Sequence, residues 1–161
     1  MPSFVFPRRQ YTEQLYNADP GFARICLLVF AVGSTYVDDA RVRFPRDDGG
    51  THGVDSSGWI FFHAFGRMVR HRLAPTELCD LQVSVLLVQF LRFSSQPGAC
   101  WLLVGEGLRY AQDVGVHRSG VQRSADPLEN ESFKRSFWCL YTLDREFSAF
   151  MGRTLTLQDD E

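Results

Sequence analysis

Residues 99–117 read Ala99-Cys100-Trp101-Leu102-Leu103-Val104-Gly105-Glu106-Gly107-Leu108-Arg109-Tyr110-Ala111-Gln112-Asp113-Val114-Gly115-Val116-His117, and this stretch decides the fold class. Trp101, Val104, Leu108, Ala111 and Val114 recur three or four apart, the spacing that puts side chains on one helical face. Gly105 lies on the same stripe, where a missing side chain lets another backbone come close. Gly115 stands where a left-handed C-cap belongs and stops the helix before Val116-His117-Arg118.

The same period returns in residues 128–151. Phe133, Phe137, Leu140, Tyr141 and Phe147 make one apolar face. Asp126 fits the N-cap, Pro127 the first helical position and Glu129 the reciprocal capping partner. Gly152 ends the helix. Asp144 falls within the apolar face. A carboxylate there is costly unless it is paired and hydrogen-bonded. Arg109 is the first expected partner, followed by Arg118 and His117.

Upstream of this pair, Thr76 is expected to cap a helix over residues 77–94, with Glu77 and Asp80 near its positive dipole end. Leu78, Leu81, Val85 and Val88 form one stripe on it. Val83, Leu86, Leu87 and Phe90 widen that stripe, so the helix is expected to be central. Ser94-Ser95-Gln96-Pro97-Gly98 turns the chain back and makes the two flanking helices antiparallel neighbours. Ser57 is placed to cap a helix over 58–71 whose apolar face is Phe61, Phe65, Met68 and Val69. Pro20-Gly21 opens a helix to residue 37 that is apolar on nearly all sides, which marks a helix buried in a bundle. Residues 38–57, with Pro45, Gly49-Gly50 and Gly53, form a long loop. A short helix is expected near 13–16. No stretch alternates as a strand does, and no fixed repeat is present. The expected fold is all-α, a bundle or irregular array of about five to six mostly antiparallel helices. Residues 1–19 are a lead-in segment and 20–161 a single domain.

Composition narrows the function classes. The 161 residues are 45% hydrophobic and 14% aromatic, which suits a packed core rather than a disordered chain. There are 17 basic and 19 acidic residues, so nothing in the overall charge draws the chain to phosphates. Lys134 is the one lysine; the other basic residues are arginines, which tolerate partly buried pairs better. Cys26, Cys79, Cys100 and Cys139 lie far apart among apolar neighbours, as buried free thiols do, and no two have the close spacing of a zinc site. Residues 25–37 are free of charge but too short to span a membrane, which needs about 18 or more apolar residues. The N-terminus lacks the apolar core of a signal peptide. These features read as a chain with no membrane contact.

Few residues suggest chemistry. Asp113 and His117 are four apart, as an acid–base pair can be. Gly115 lies between them, however, and no Ser or Cys nucleophile is placed beside them. His63 and His71 are two helical turns apart, too far to share a metal. Asp159-Asp160-Glu161 reads as a solvated tail. Gly105-x-Gly107 lies inside a helical pattern with no strand before it, so it serves helix packing rather than phosphate binding. No catalytic residue, no metal ligand and no cofactor is expected in this chain, and an enzyme is the least favoured class.

Two motifs carry a resemblance. Trp101, Gly105 and Arg109-x-Ala111-Gln112-Asp113-x-Gly115-x-His117-Arg118 form the first. Trp138-x-Leu140-x-x-Leu143-Asp144-Arg145-x-x-Ser148-x-x-x-Gly152-Arg153 form the second. In this order they resemble the regulatory domain, or middle homology region, of fungal zinc-cluster transcription factors. The likeness is closest over residues 57–161 and fainter back to 20. Gly107 departs from the family's usual helix former, and Thr154 from its usual Pro. The resemblance implies Trp101, Gly105, Arg109, Gln112, Asp113, Gly115, His117, Arg118, Trp138, Asp144, Arg145, Gly152 and Arg153 as structural or regulatory motif residues. It also implies a domain that modulates DNA-templated transcription in the nucleus, through intramolecular contacts, a protein partner or a small-molecule effector. Zinc and DNA would then be bound by an N-terminal module missing from this chain. The family's domain continues beyond such a C-terminal stretch, so a fragment or truncated gene product is expected. A helical protein-interaction scaffold unrelated to transcription is the alternative.

Overall fold

The computed structural model describes residues 18–44, 50, 52–68, 75–92, 97–118 and 120–158. Among them are five α-helices, two 3-10 turns and no strand, so the described chain is all-α. The helices are α1 (Pro20–Ser34), α2 (Trp59–Gly66), α3 (Leu78–Leu91), α4 (Pro97–Asp113) and α5 (Pro127–Met151). They fall into two compact units, one within residues 1–70 and one within 71–161.

In the first unit, α1 packs against α2. Asp19 caps α1, its carboxylate accepting the Phe22 N–H at 2.9 Å, and Pro20 takes the first turn, where its missing N–H costs nothing. Ala23, Leu27, Leu28 and Ala31 form a single buried face, while Phe22, Val29 and Phe30 are exposed. The helix is therefore one-sided rather than buried all round, and it ends at Ser34, short of residue 37. The Ser34 hydroxyl donates back to the Phe30 carbonyl at 2.6 Å. The connection after it contains two 3-10 turns, Ala40–Val42 and Val54–Ser56. Ser57 does not cap α2. Its hydroxyl is buried without a partner, and Gly58 takes the N-cap position at φ 82°. A left-handed N-cap suits glycine and leaves the serine outside the helix. α2 ends at Gly66 with Arg67 as its C-cap, short of the expected residue 71. The short helix expected near 13–16, and residues 69–71 with His71, lie outside the described residues.

In the second unit, α3, α4 and α5 all pack on one another. Leu81, Val83, Val88 and Phe90 of α3 are buried, as its wide apolar stripe requires. Glu77, not Thr76, is its N-cap. Glu77 and Asp80 form a capping box, with the Glu77 N–H donating to Asp80 at 2.9 Å. Thr76 instead donates its hydroxyl to Asp113 at 2.8 Å. The turn between α3 and α4 is outside the described residues.

Two glycines close α4 and α5. Gly115 has φ 76°; its N–H donates to Gln112 O at 3.0 Å, and that of Val116 to Ala111 O at 3.1 Å. Gly152 has φ 61°, with Arg153 N–H donating to Ser148 O at 2.9 Å. Both are Schellman ends, in which a left-handed residue lets the chain reverse while the last carbonyls find donors. At the start of α5, Asp126 accepts the Leu128 N–H at 2.9 Å. The expected reciprocal Glu129 is replaced by Asn130. Its side chain accepts from the N–H groups of Arg123 and Ser124, at 2.7 and 3.1 Å, and donates to Ser124 O and Asp126 O. An amide has both donors and acceptors, so one Asn can satisfy a whole turn where a carboxylate cannot.

The tightest point of this unit is Gly107. A Cβ built there would lie 2.8 Å from Leu140 Cδ2 and 2.9 Å from Ser84 Cβ. The three helices approach closely enough at this level to leave no room for a methyl group. At Gly105 the nearest atoms would be at 3.5 and 3.6 Å, ordinary contact. The close approach expected at Gly105 therefore falls two residues later, at the position that departs from the family's usual helix former.

Candidate functional site

The two motifs meet where the chain leaves α5. After Gly152 it turns back, and residues 154–157 run beside the second half of α5. Asp144 is fully buried. Its Oδ2 accepts the Thr156 N–H at 2.9 Å and its Oδ1 accepts the Thr156 hydroxyl at 2.8 Å. The partner is therefore the returning chain rather than Arg109, Arg118 or His117. Arg145 Nη1 lies 3.3 Å from Asp144 Oδ2 and donates to Leu157 O at 2.8 Å. Its Nη2 donates to the Tyr141 hydroxyl at 3.0 Å, and the guanidinium sits 4.2 Å above the Tyr141 ring. Ser148 is buried one turn further along. It donates to Thr154 O at 3.3 Å and accepts the Trp101 indole N–H at 3.3 Å. Leu157 is buried at the end of this path.

These contacts form a clasp. Asp144, Arg145 and Ser148 project from α5 at helical spacing and hold the backbone of residues 154–157, which has no regular structure of its own. A carboxylate suits the central position because it accepts from a backbone N–H and a hydroxyl at once, and Arg145 balances its charge. Arg153 lies with its guanidinium 4.6 Å over the Trp101 ring and joins the clasp to α4.

Trp101, Gly105 and Arg109 are four residues apart, so they share one face of α4. With Leu102 and with Thr154, Leu155 and Thr156 of the returning chain they line a cavity of about 310 Å³. The remaining residues of the first motif lie elsewhere. Gln112, Asp113, Gly115, His117 and Arg118 belong to the C-terminal end of α4 and its cap. Asp113 is exposed and bonds Thr76, and His117 Nδ1 is buried without a partner, so the two do not act as a pair. Trp138 is exposed on α5, where its ring packs edge-on against Phe137 and Tyr141 at 5.3 and 5.4 Å.

Thr154, Leu155 and Thr156 were missed as site residues. Nothing in a polar tail of mixed residues distinguishes them, because their role comes from the carboxylate they meet. The cysteines differ from expectation as well. Cys100 is buried, and burial pushes its thiol up from the usual range. Cys26 and Cys79 are half-buried, and Cys139 is exposed. Among the described residues no three His, Cys, Asp or Glu side chains are placed to hold a metal ion. Among those same residues no helix is long and apolar enough to cross a membrane. His71 and Asp159-Asp160-Glu161 lie outside them.

Among the described residues the fold is all-helical, and residues of the two motifs lie at helix ends and at the clasp. The chain belongs to the family of the fungal specific transcription factor domain, whose profile matches residues 4–161. It is similar to an ABC-transporter-regulating transcription factor of Aspergillus oryzae, 25% identical over 162 residues. It is also similar to Activator of stress genes 1 of Saccharomyces cerevisiae, 26% identical over 175 residues. Each of these alignments covers 99% of this chain and 17% of the relative, so the chain spans about a sixth of their length. An uncharacterized transcriptional regulatory protein of Schizosaccharomyces pombe is 40% identical over 67 residues, which are 42% of this chain and 9% of that protein. No solved structure matches.

Proposed function

We infer that residues 20–161 work as one regulatory domain of a transcription factor, modulating transcription in the nucleus. In this reading, DNA is bound by a separate zinc-containing module in a longer protein. The observation that carries it is the family match over residues 4–161, which runs through both compact units. The charge balance supports it. With 17 basic against 19 acidic residues the chain has no excess of cations to meet phosphates, so DNA contact falls to another part of the protein. The regulatory input is a protein partner or a small-molecule effector.

The test has two arms. In the complete protein, deleting residues 20–161 should change reporter transcription while leaving DNA binding by the rest intact. The 161-residue chain alone should show neither stoichiometric zinc by metal analysis nor tight sequence-specific DNA binding by gel shift at physiological salt. Reporter output unchanged by the deletion would favour a helical interaction scaffold unrelated to transcription. Zinc and specific DNA binding by the chain itself would replace both readings with a self-contained DNA-binding module.

A further inference from the structure

Five arginines pair with carboxylates among the described residues. Arg41 pairs with Asp39, Arg43 with Asp38, Arg92 with Glu146, Arg135 with Glu131 and Arg145 with Asp144. The cavity between α4 and the returning chain is different. Arg109 lines it, is exposed, and has no carboxylate partner among the described residues. Arg153 is likewise without an acidic partner there and stacks on Trp101, which forms one wall. No acidic residue lines the cavity. Asp144, which bonds the lining residue Thr156, is taken up by Thr156 and Arg145.

Gly105 shapes the space. A Cβ at Gly105 would lie 3.5 Å from Arg109 Nη1 and 3.6 Å from Thr156 Oγ1. The guanidinium is thus folded back along the helix over the bare glycine, as long helical side chains fold toward the preceding turn. Arg109 lines the cavity while its side chain stays open to solvent. The other walls are the Trp101 ring, Leu102 and Leu155, with Thr154 and Thr156 adding polar surface. One charged end and three apolar surfaces in about 310 Å³ suit a small ligand, at the low end of the range of binding pockets.

We propose that this cavity binds a compact organic carboxylate, its carboxylate on Arg109 and its planar or apolar body against Trp101, Leu102 and Leu155. An arginine fork meets a carboxylate bidentately, which gives orientation as well as attraction. Arg153 adds a second positive charge at the Trp101 side. Occupancy would tie α4 to residues 154–156, the segment that the Asp144 clasp holds. The proposal rests on the regulatory reading above and names the class of effector.

The probe is benzoate, titrated into the full ¹⁵N-labelled chain and followed by NMR at the Trp101 indole N–H, assigned with Trp101→Phe. Benzamide, a neutral isostere, and inorganic phosphate, an anion with no apolar body, are the controls. Benzoate should shift the indole signal saturably, and the two controls should not. Arg109→Gln should weaken benzoate by about tenfold or more, the loss of a charge-assisted contact, with amide dispersion showing that the fold is kept. Arg135→Gln, on the exposed face of α5, should leave binding unchanged. No saturable shift with benzoate, an equal response to benzamide or phosphate, or an Arg109→Gln variant that binds as well as the parent would overturn the proposal. The regulatory reading stands on the reporter experiment instead, so an empty cavity refutes the ligand site alone.

Discussion

The two ends of α4 carry residues of one motif and do different work. At the N-terminal end, Trp101 donates to Ser148 and shares a cavity with Thr154 and Thr156. Those partners are about fifty residues away in the chain, so this end holds tertiary structure. At the C-terminal end, Gly115 closes the helix on Gln112 and Ala111, its own last turn. Asp113 reaches one exposed hydroxyl, that of Thr76. The motif is therefore not one site. Burial decides which of its members hold distant segments together and which merely end a helix.

The largest effect should come from Asp144. Asp144→Ala leaves the part-buried Thr156 N–H and hydroxyl without their acceptor. It also removes the carboxylate beside the Arg145 guanidinium, and the loss should be roughly 3–5 kcal/mol. Urea unfolding of the full chain measures it. A cost below about 1 kcal/mol would show that the clasp is not what secures residues 154–157.

Gly107 and Gly105 sharpen the contrast within the same half of the helix. Gly107→Ala should cost about 1–3 kcal/mol by overpacking, because Ser84 Cβ is fixed to its backbone and only Leu140 can move aside. Leu140→Val in the same chain should recover part of it, less the cost of its own smaller side chain. Gly105→Ala should be neutral or stabilising by up to about 1 kcal/mol, since alanine is the better helix former and has room. Equal effects at the two positions in thermal unfolding would remove the distinction.

The C-terminal end should respond less. Gly115→Ala forces a Cβ into a left-handed conformation and should cost about 1–2 kcal/mol. The smallest change should come from Asp113→Ala, which loses one exposed hydrogen bond and should fall within about 0.5 kcal/mol. Asp113→Ala matching Asp144→Ala in the same unfolding assay would collapse the comparison.

Local signals were legible in the residues. Helical spacing, Pro20-Gly21, Asp126 before proline, and Gly115 and Gly152 after the last turn act within a few residues of chain, and each helix end they mark is present. The choice between neighbouring caps was not legible. Thr76 and Glu77 compete for one helix start, and Thr76 is drawn away by Asp113, 37 residues later.

By itself the sequence determined that the described chain is helical, where α4 and α5 end, and that Asp144 lies on a buried face. Periodicity and capping are short-range, so they are written in consecutive residues. Only the tertiary structure decided that Asp144 bonds Thr156 rather than Arg109, and that Gly107 rather than Gly105 is the contact point. It also decided that Arg109 is left facing a cavity with Trp101. Those outcomes depend on which segments come to lie together in space, and no spacing along the chain states that.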